Sequence, residues 1–299
     1  MQTFPIIERP AWLPASAWPW PTYSLETDTG RIAVTDVGQG PTLLFVHVGT
    51  WSFVWRDVIA CLQNDFRCVA LDAPGSGLSY RSESAATLAH AADAVTAVVD
   101  TLQLNDVTLA AHDLGGPAGF LTASRRADRF AALVSVNCFA WRPSGPAFRG
   151  MLTLMGSAPA RASDAKLGWL PRLTSTTFGV GRHWNRADLA VFRAGIEPAA
   201  RRAWHRYFRD ARAADDLYAE LDTGLPALLA DRPLLTIFGQ FNDPLRFQRR
   251  WRALNPNVHQ VKVPRGNHFP MCDNPELVAS AVKSFVHEDA RRRRSGHIP

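Results

Sequence analysis

The chain has 299 residues, 46% hydrophobic and 20% charged, which is enough apolar material for one large α/β domain or for a core with an insertion, and too much for a disordered chain. The net charge of +6 is an arginine effect, with lysine only at Lys166, Lys262 and Lys283 and the densest basic run, Arg291 to Arg294, in a tail that reads as solvated rather than as a nucleic-acid site. Cys61, Cys68, Cys138 and Cys272 are far apart with no CxxC pair, and no apolar stretch reaches membrane-spanning length, so the expectation is a cytoplasmic chain with no disulfide framework, no metal and no membrane contact.

Residues 1–22 carry prolines and tryptophans but no basic region followed by an apolar run, and read as an N-terminal extension rather than a signal peptide. The strand-like runs begin with Thr42 to His47 and Arg67 to Leu71, short and rich in apolar and β-branched residues. A helical period covers Leu88 to Leu102, and two more strands are expected at Val107 to Ala111 and Ala132 to Val136. The alternation then stops. Residues 141–230 are helical in composition and too long for a loop, which predicts a helical cap inserted into the sheet domain. Strands resume at Leu234 to Phe238 and Val258 to Val263, and a helix is expected over Pro275 to His287. Near-continuous apolar strands alternating with helices predict an α/β fold with a mostly parallel sheet covered on both faces. The core is expected over 23–140 and 231–288, with a basic tail over 289–299.

Three segments carry chemistry. His112-Asp113-Leu114-Gly115-Gly116 follows the Val107 strand and precedes a helix-like segment, and its small residues are what a sharp strand-to-helix turn demands. No GxSxG occurs in the chain, so an aspartate occupies the place where a serine nucleophile would stand. A carboxylate there can attack a saturated electrophilic carbon and form an ester that water then cleaves; the alternative is that Asp113 caps the next helix. Gly239-Gln240-Phe241-Asn242-Asp243-Pro244 follows the Leu234 strand, and Gly266-Asn267-His268-Phe269-Pro270 follows the Val258 strand. Nucleophile, acid and histidine in that order, each after a strand, fit one catalytic edge.

With the HDxGG elbow at His112 to Gly116, the turn Asp72-Ala73-Pro74-Gly75-Ser76-Gly77-Leu78-Ser79 and the GNHF run, the chain from about Tyr23 to Glu288 resembles the Asp-nucleophile branch of the α/β-hydrolase fold, which contains haloalkane dehalogenases and epoxide hydrolases. The resemblance implies that Asp113 displaces a halide or opens an epoxide, that His268 then activates water, and that Asp243 orients the histidine. Asn242 stands one residue earlier, where some members place the acid. The oxyanion donors implied are the backbone N–H groups of Val48 and Leu114, and no cofactor is implied. The expected partners are a small apolar substrate and water, and the chain is expected as a monomer or homodimer.

The sequence also departs from that pattern. The run His47 to Arg56 is shorter than the family's His-Gly-x-Pro loop and lacks its proline, and Leu114 replaces the tryptophan with which dehalogenases hold the leaving halide. Trp51 is the local candidate donor, with a packed core aromatic as the alternative. Tyr207 is the candidate acid for an epoxide oxygen, with a structural tyrosine as the alternative. His112, Phe139, Trp141, Phe178, Trp184 and Tyr207 are expected to line the substrate pocket. Two other functions fit the scaffold: a non-hydrolytic isomerase or cyclase using His268 for proton transfer, and a non-catalytic ligand receptor.

Overall fold

The computed structural model describes residues 4–28, 30–80 and 84–294. Eight strands form one sheet in the order β1-β2-β4-β3-β5-β6-β7-β8. They span Tyr23–Thr27 (β1), Gly30–Val37 (β2), Thr42–Val48 (β3), Arg67–Leu71 (β4), Val107–Asp113 (β5), Phe130–Val136 (β6), Leu234–Gly239 (β7) and His259–Val263 (β8). The first two pairings, β1 with β2 and β2 with β4, are antiparallel; the others are parallel. Every residue of β3 and β6 is buried, as expected of strands covered by helices on both faces. Strands β1 and β2 were not among the expected elements. Their residues, YSLET and GRIAVTDV, mix polar and apolar types without strict alternation and carry only a weak period-two signal.

The helices that matter for the site are α1 (Arg56–Leu62), α2 (Leu88–Thr101), α3 (Gly115–Arg125) and, between β6 and β7, α4 (Pro146–Met155), α5 (Ala158–Leu167), α6 (Trp169–Thr174), α7 (Arg186–Ala194), α8 (Pro198–Ala213) and α9 (Asp215–Asp231). Helix α8 packs against α4 and α5, and α9 packs against α3. After β7 come α10 (Phe247–Leu254), α11 (Pro270–Asp273) and α12 (Pro275–Arg294). Helix α12 runs through the segment read as a solvated tail: Arg293 pairs with Asp289 at 2.8 Å and also donates to the Ala131 carbonyl. An i,i+4 acid–base pair and a backbone acceptor on β6 hold that turn. Residues 295–299 of the expected tail lie outside the described residues.

The N-terminal residues pack into the body. Trp18 is 2% exposed and lies against Trp20, Trp51 and Phe53, while the edge of Trp12 meets Trp51 at 5.6 Å. Among the described residues no helix is long and apolar enough to cross a membrane, and no cluster of metal-ligating side chains occurs.

Candidate active site

The site lies at the C-terminal edge of the parallel strands. Asp113 ends β5 with φ of 50°, a left-handed conformation that costs a non-glycine residue about 1–3 kcal/mol and persists only where surrounding structure enforces it. The two glycines after Leu114 allow that enforcement. A Cβ on Gly115 would stand 2.6 Å from the Val46 carbonyl oxygen, and one on Gly116 would stand 2.2 Å from that of Phe139. The elbow therefore closes only with glycine at both places, and α3 starts immediately behind the Asp113 carboxylate with its N-terminal amides and dipole.

His268 faces this carboxylate from the loop after β8. Its Nε2 is 3.6 Å from Asp113 Oδ2, too long for a hydrogen bond, and the two side chains are 33% and 20% exposed, so solvent reaches them. Its Nδ1 donates to Asn242 Oδ1 at 3.1 Å, which turns Nε2 toward Asp113. Asn242 Oδ1 also accepts from Asn137 Nδ2 at 3.2 Å. Asn137, at the end of β6 with φ of 39°, further donates to the carbonyls of Asn267 and His268 and accepts from Gly239 N–H. Two amides therefore clamp the histidine loop to the ends of β6 and β7.

Asp243, the acid expected to orient His268, points elsewhere. Its carboxylate accepts the Phe247 N–H at 2.5 Å and the Gln248 N–H at 3.3 Å, capping α10, and burial pushes its pKa up despite those donors. The adjacent pair divides the work: the acid satisfies orphan amides at a helix start, and the amide meets the histidine. Asn137 was missed because a lone asparagine after a strand gives no pattern at the level of sequence.

Beneath the elbow runs a chain of imidazoles. The Thr50 N–H donates to His47 Nε2 at 3.1 Å, His47 Nδ1 lies 2.9 Å from His112 Nδ1, and His112 Nε2 lies 2.8 Å from the His268 carbonyl. Only one tautomer set satisfies every contact: His47 donates from Nδ1, and His112 accepts there and donates from Nε2. Both rings must then be neutral, and burial holds His47 down to about 3 and His112 well below its ordinary value. His112, expected as a pocket wall, is instead fully buried and ties His47 to the His268 loop.

The other candidate side chains differ in their surroundings. The Trp51 indole donates to the Phe192 carbonyl at 3.1 Å and its ring stacks on Phe53, so its N–H is consumed in joining the core to the loop-bearing helices above. The Tyr207 hydroxyl donates to the Pro74 carbonyl at 2.6 Å in a fully buried setting that raises its pKa, so its proton is engaged with the backbone. The Trp184 indole is bound to Asp57 Oδ2 at 2.7 Å, which pins it to α1. Phe178 is 76% exposed. Phe139 and Trp141 are buried in an aromatic cluster with Phe247. Val48, the last residue of β3, is opposite Asp113 in register, and Leu114 is the N-cap of α3; both are adjacent to the nucleophile, with buried side chains.

Near the site Thr50 Oγ1, Trp55 Nε1 and Trp204 Nε1 are buried without a hydrogen-bond partner among the described residues. The Trp204 indole is on α8, and a Cβ on Gly49 would stand 2.5 Å from its Nε1. Gly49 directly follows Val48, so this N–H lies against the loop next to the nucleophile.

Comparison with known proteins agrees with this architecture. Residues 43–281 match the alpha/beta hydrolase family. A haloalkane dehalogenase of Mycobacterium tuberculosis is 32% identical over 273 residues, covering 89% of this chain and 94% of its own. A cis-3-alkyl-4-alkyloxetan-2-one decarboxylase of Shewanella oneidensis is 25% identical over 288 residues, covering 90% and 89%. An epoxide hydrolase solved without ligand superposes with a TM-score of 0.74 at 21% identity, covering 89% of this chain and 98% of its own.

Proposed function

The chain belongs to the alpha/beta hydrolase family, as a haloalkane dehalogenase- and epoxide hydrolase-like hydrolase, and we propose that it works through an ester on Asp113, releasing from a small apolar substrate a leaving group that departs as an anion. The observation that carries the reading is the elbow aspartate, held at positive φ, with His268 Nε2 3.6 Å from its carboxylate. An ionised carboxylate needs no base to attack carbon, so the histidine's task is the second step, in which it takes a proton from water attacking the ester. In this reading the backbone N–H groups of Val48 and Leu114 would hold the oxyanion of the ester's breakdown.

Between the two leaving groups the tyrosines favour halide. Opening an epoxide produces an alkoxide that needs a proton, yet Tyr207 donates to Pro74 and Tyr218 to the Ala211 carbonyl. A halide needs only a hydrogen-bond donor, and Trp204 has an unpartnered one beside the Gly49 loop. In this reading Trp204 takes over the role for which Leu114 has no N–H and Trp51 has none free. The test is intact-protein mass spectrometry of His268→Gln incubated with bromoalkanes and with epoxides. A mass increase equal to the alkyl group, located on Asp113 by peptide mapping, is expected from the bromoalkanes. Absence of any adduct from either class would sink the ester mechanism.

A second reading rests on Asn242. An amide stabilises an imidazolium less than a carboxylate does, so water activation is weakened, which suits a non-hydrolytic reaction in which His268 only transfers a proton. Recovery of an isomerised or decarboxylated product without incorporation of solvent oxygen would favour it.

A further inference from the structure

A groove of about 370 Å³ opens between the start of the helical insertion and α10, lined by Trp141, Gly145, Phe148, Leu245, Phe247 and Arg250. Neither Asp113 nor His268 lines it. Its walls are aromatic: the Trp141 and Phe247 rings meet at 5.4 Å and those of Phe148 and Phe247 at 5.5 Å. The Arg250 guanidinium lies 4.5 Å over the Trp141 ring, and its one hydrogen bond is to Ser144 Oγ at 3.5 Å. Arg246, on the rim, is the N-cap of α10. Among the described residues neither arginine makes an ion pair.

Arg250 is exposed on the groove wall and, among the described residues, pairs with no carboxylate. Carboxylates within hydrogen-bond reach hold Arg56, Arg67, Arg125 and Arg126 above the ordinary arginine value. Arg250 is pushed below it, because burial is offset only by Asp222 acting through space. A guanidinium laid on an aromatic wall with no carboxylate within hydrogen-bond reach keeps its donors free for an anion. A planar guanidinium fork matches a carboxylate with two parallel hydrogen bonds, and the apolar walls accept a hydrocarbon body.

We propose that this groove binds an organic carboxylate with an apolar body, its carboxylate on Arg250 and its hydrocarbon against Trp141 and Phe247, at a site separate from the nucleophile. The segment between the groove and His268 is short: Phe247, on the groove wall, donates its N–H to Asp243, whose neighbour Asn242 holds the histidine. The site does not depend on the proposed chemistry at Asp113, and its test is independent of turnover. Isothermal titration calorimetry with octanoate as the probe is expected to show saturable binding, with acetate and octanol, which supply only the charge or only the chain, each weaker by about tenfold or more. Arg250→Gln should weaken octanoate by at least about tenfold at unchanged melting temperature, Arg246→Gln by less, and Asp113→Asn should leave it unchanged. The proposal is overturned if octanoate does not saturate at millimolar concentration, if octanol binds equally well, or if Asp113→Asn removes binding and Arg250→Gln does not.

Discussion

Two regions of the molecule concentrate titratable side chains, and they treat them in opposite ways. At the sheet edge Asp113 and His268 are partly exposed, 3.6 Å apart, and their catalytic atoms make no hydrogen bond to each other. In the helical insertion His205 and Asp164 are both fully buried, and every polar atom is engaged: the His205 ring meets the Met155 carbonyl at 2.5 Å and Asp164 at 3.1 Å, and Asp164 also accepts the Leu170 N–H at 2.7 Å. Saturated, buried groups hold structure together, whereas exposed groups with unused bonding capacity are the ones free to act on a substrate. The same criterion separates Trp204, with an unused N–H, from Trp51 and Trp184, whose indoles are spent.

The contrast can be broken most severely at the nucleophile. Asp113→Ala is expected to lower turnover by about 10⁴-fold or more with little change in melting temperature, since the side chain is part-exposed and makes no structural hydrogen bond; near wild-type halide release by the purified variant would refute the assignment. In the other region the outcome should invert. His205→Ala leaves a buried carboxylate unpaired and is expected to cost about 3–5 kcal/mol of stability, measured by urea unfolding, while protein that remains folded keeps its chemistry.

Acid tests the buried imidazoles between those two regions. His47 is held at about 3 against an unfolded value near 6.5, so the unfolded chain binds the extra proton first as pH falls. Its contribution to stability is complete above about pH 6.5 and is lost progressively as pH drops toward 3. Replacing His47 with glutamine should flatten unfolding midpoints across that window; an unchanged slope would mean other groups dominate acid unfolding.

Smaller effects sharpen the division between Asn242 and Asp243. Asn242→Asp puts a carboxylate against His268 Nδ1 and is expected to speed breakdown of the ester by about tenfold, consistent with a charge-assisted bond being worth roughly 1.5 kcal/mol more, read by stopped-flow burst kinetics. Asp243→Asn should cost about 1 kcal/mol through the α10 cap and leave the hydrolytic step alone. The reverse ranking would restore Asp243 as the orienting acid. Smallest of all, Tyr207→Phe should remove about 1 kcal/mol of stability with its bond to Pro74 and leave halide release within about twofold; a large rate loss would return the leaving-group acid to Tyr207.

Much of this was legible in the residues because it depends on local rules. Strong apolar runs located six of the strands, and the HDLGG run placed Asp113 on a turn that only glycines permit, as the close approaches of Gly115 and Gly116 bear out. The strands β1 and β2 escaped because their pattern is mixed and antiparallel edge pairing adds no sequence signature. Side-chain direction was less accessible still: Asn242 and Asp243 are neighbours whose side chains diverge, one to a histidine and one to a helix end.

What the sequence by itself determined, then, is the order of strands and helices and the identity of the elbow aspartate and its histidine, because backbone periodicity and tight turns are set by residues close in the chain. Which indoles keep an unpartnered N–H, which tyrosine hydroxyl is tied to a carbonyl, and which of two adjacent residues meets His268 were decided only by the tertiary structure. Those outcomes depend on acceptors far away in sequence, Phe192 for Trp51, Pro74 for Tyr207 and the α10 amides for Asp243 being brought into reach by packing alone.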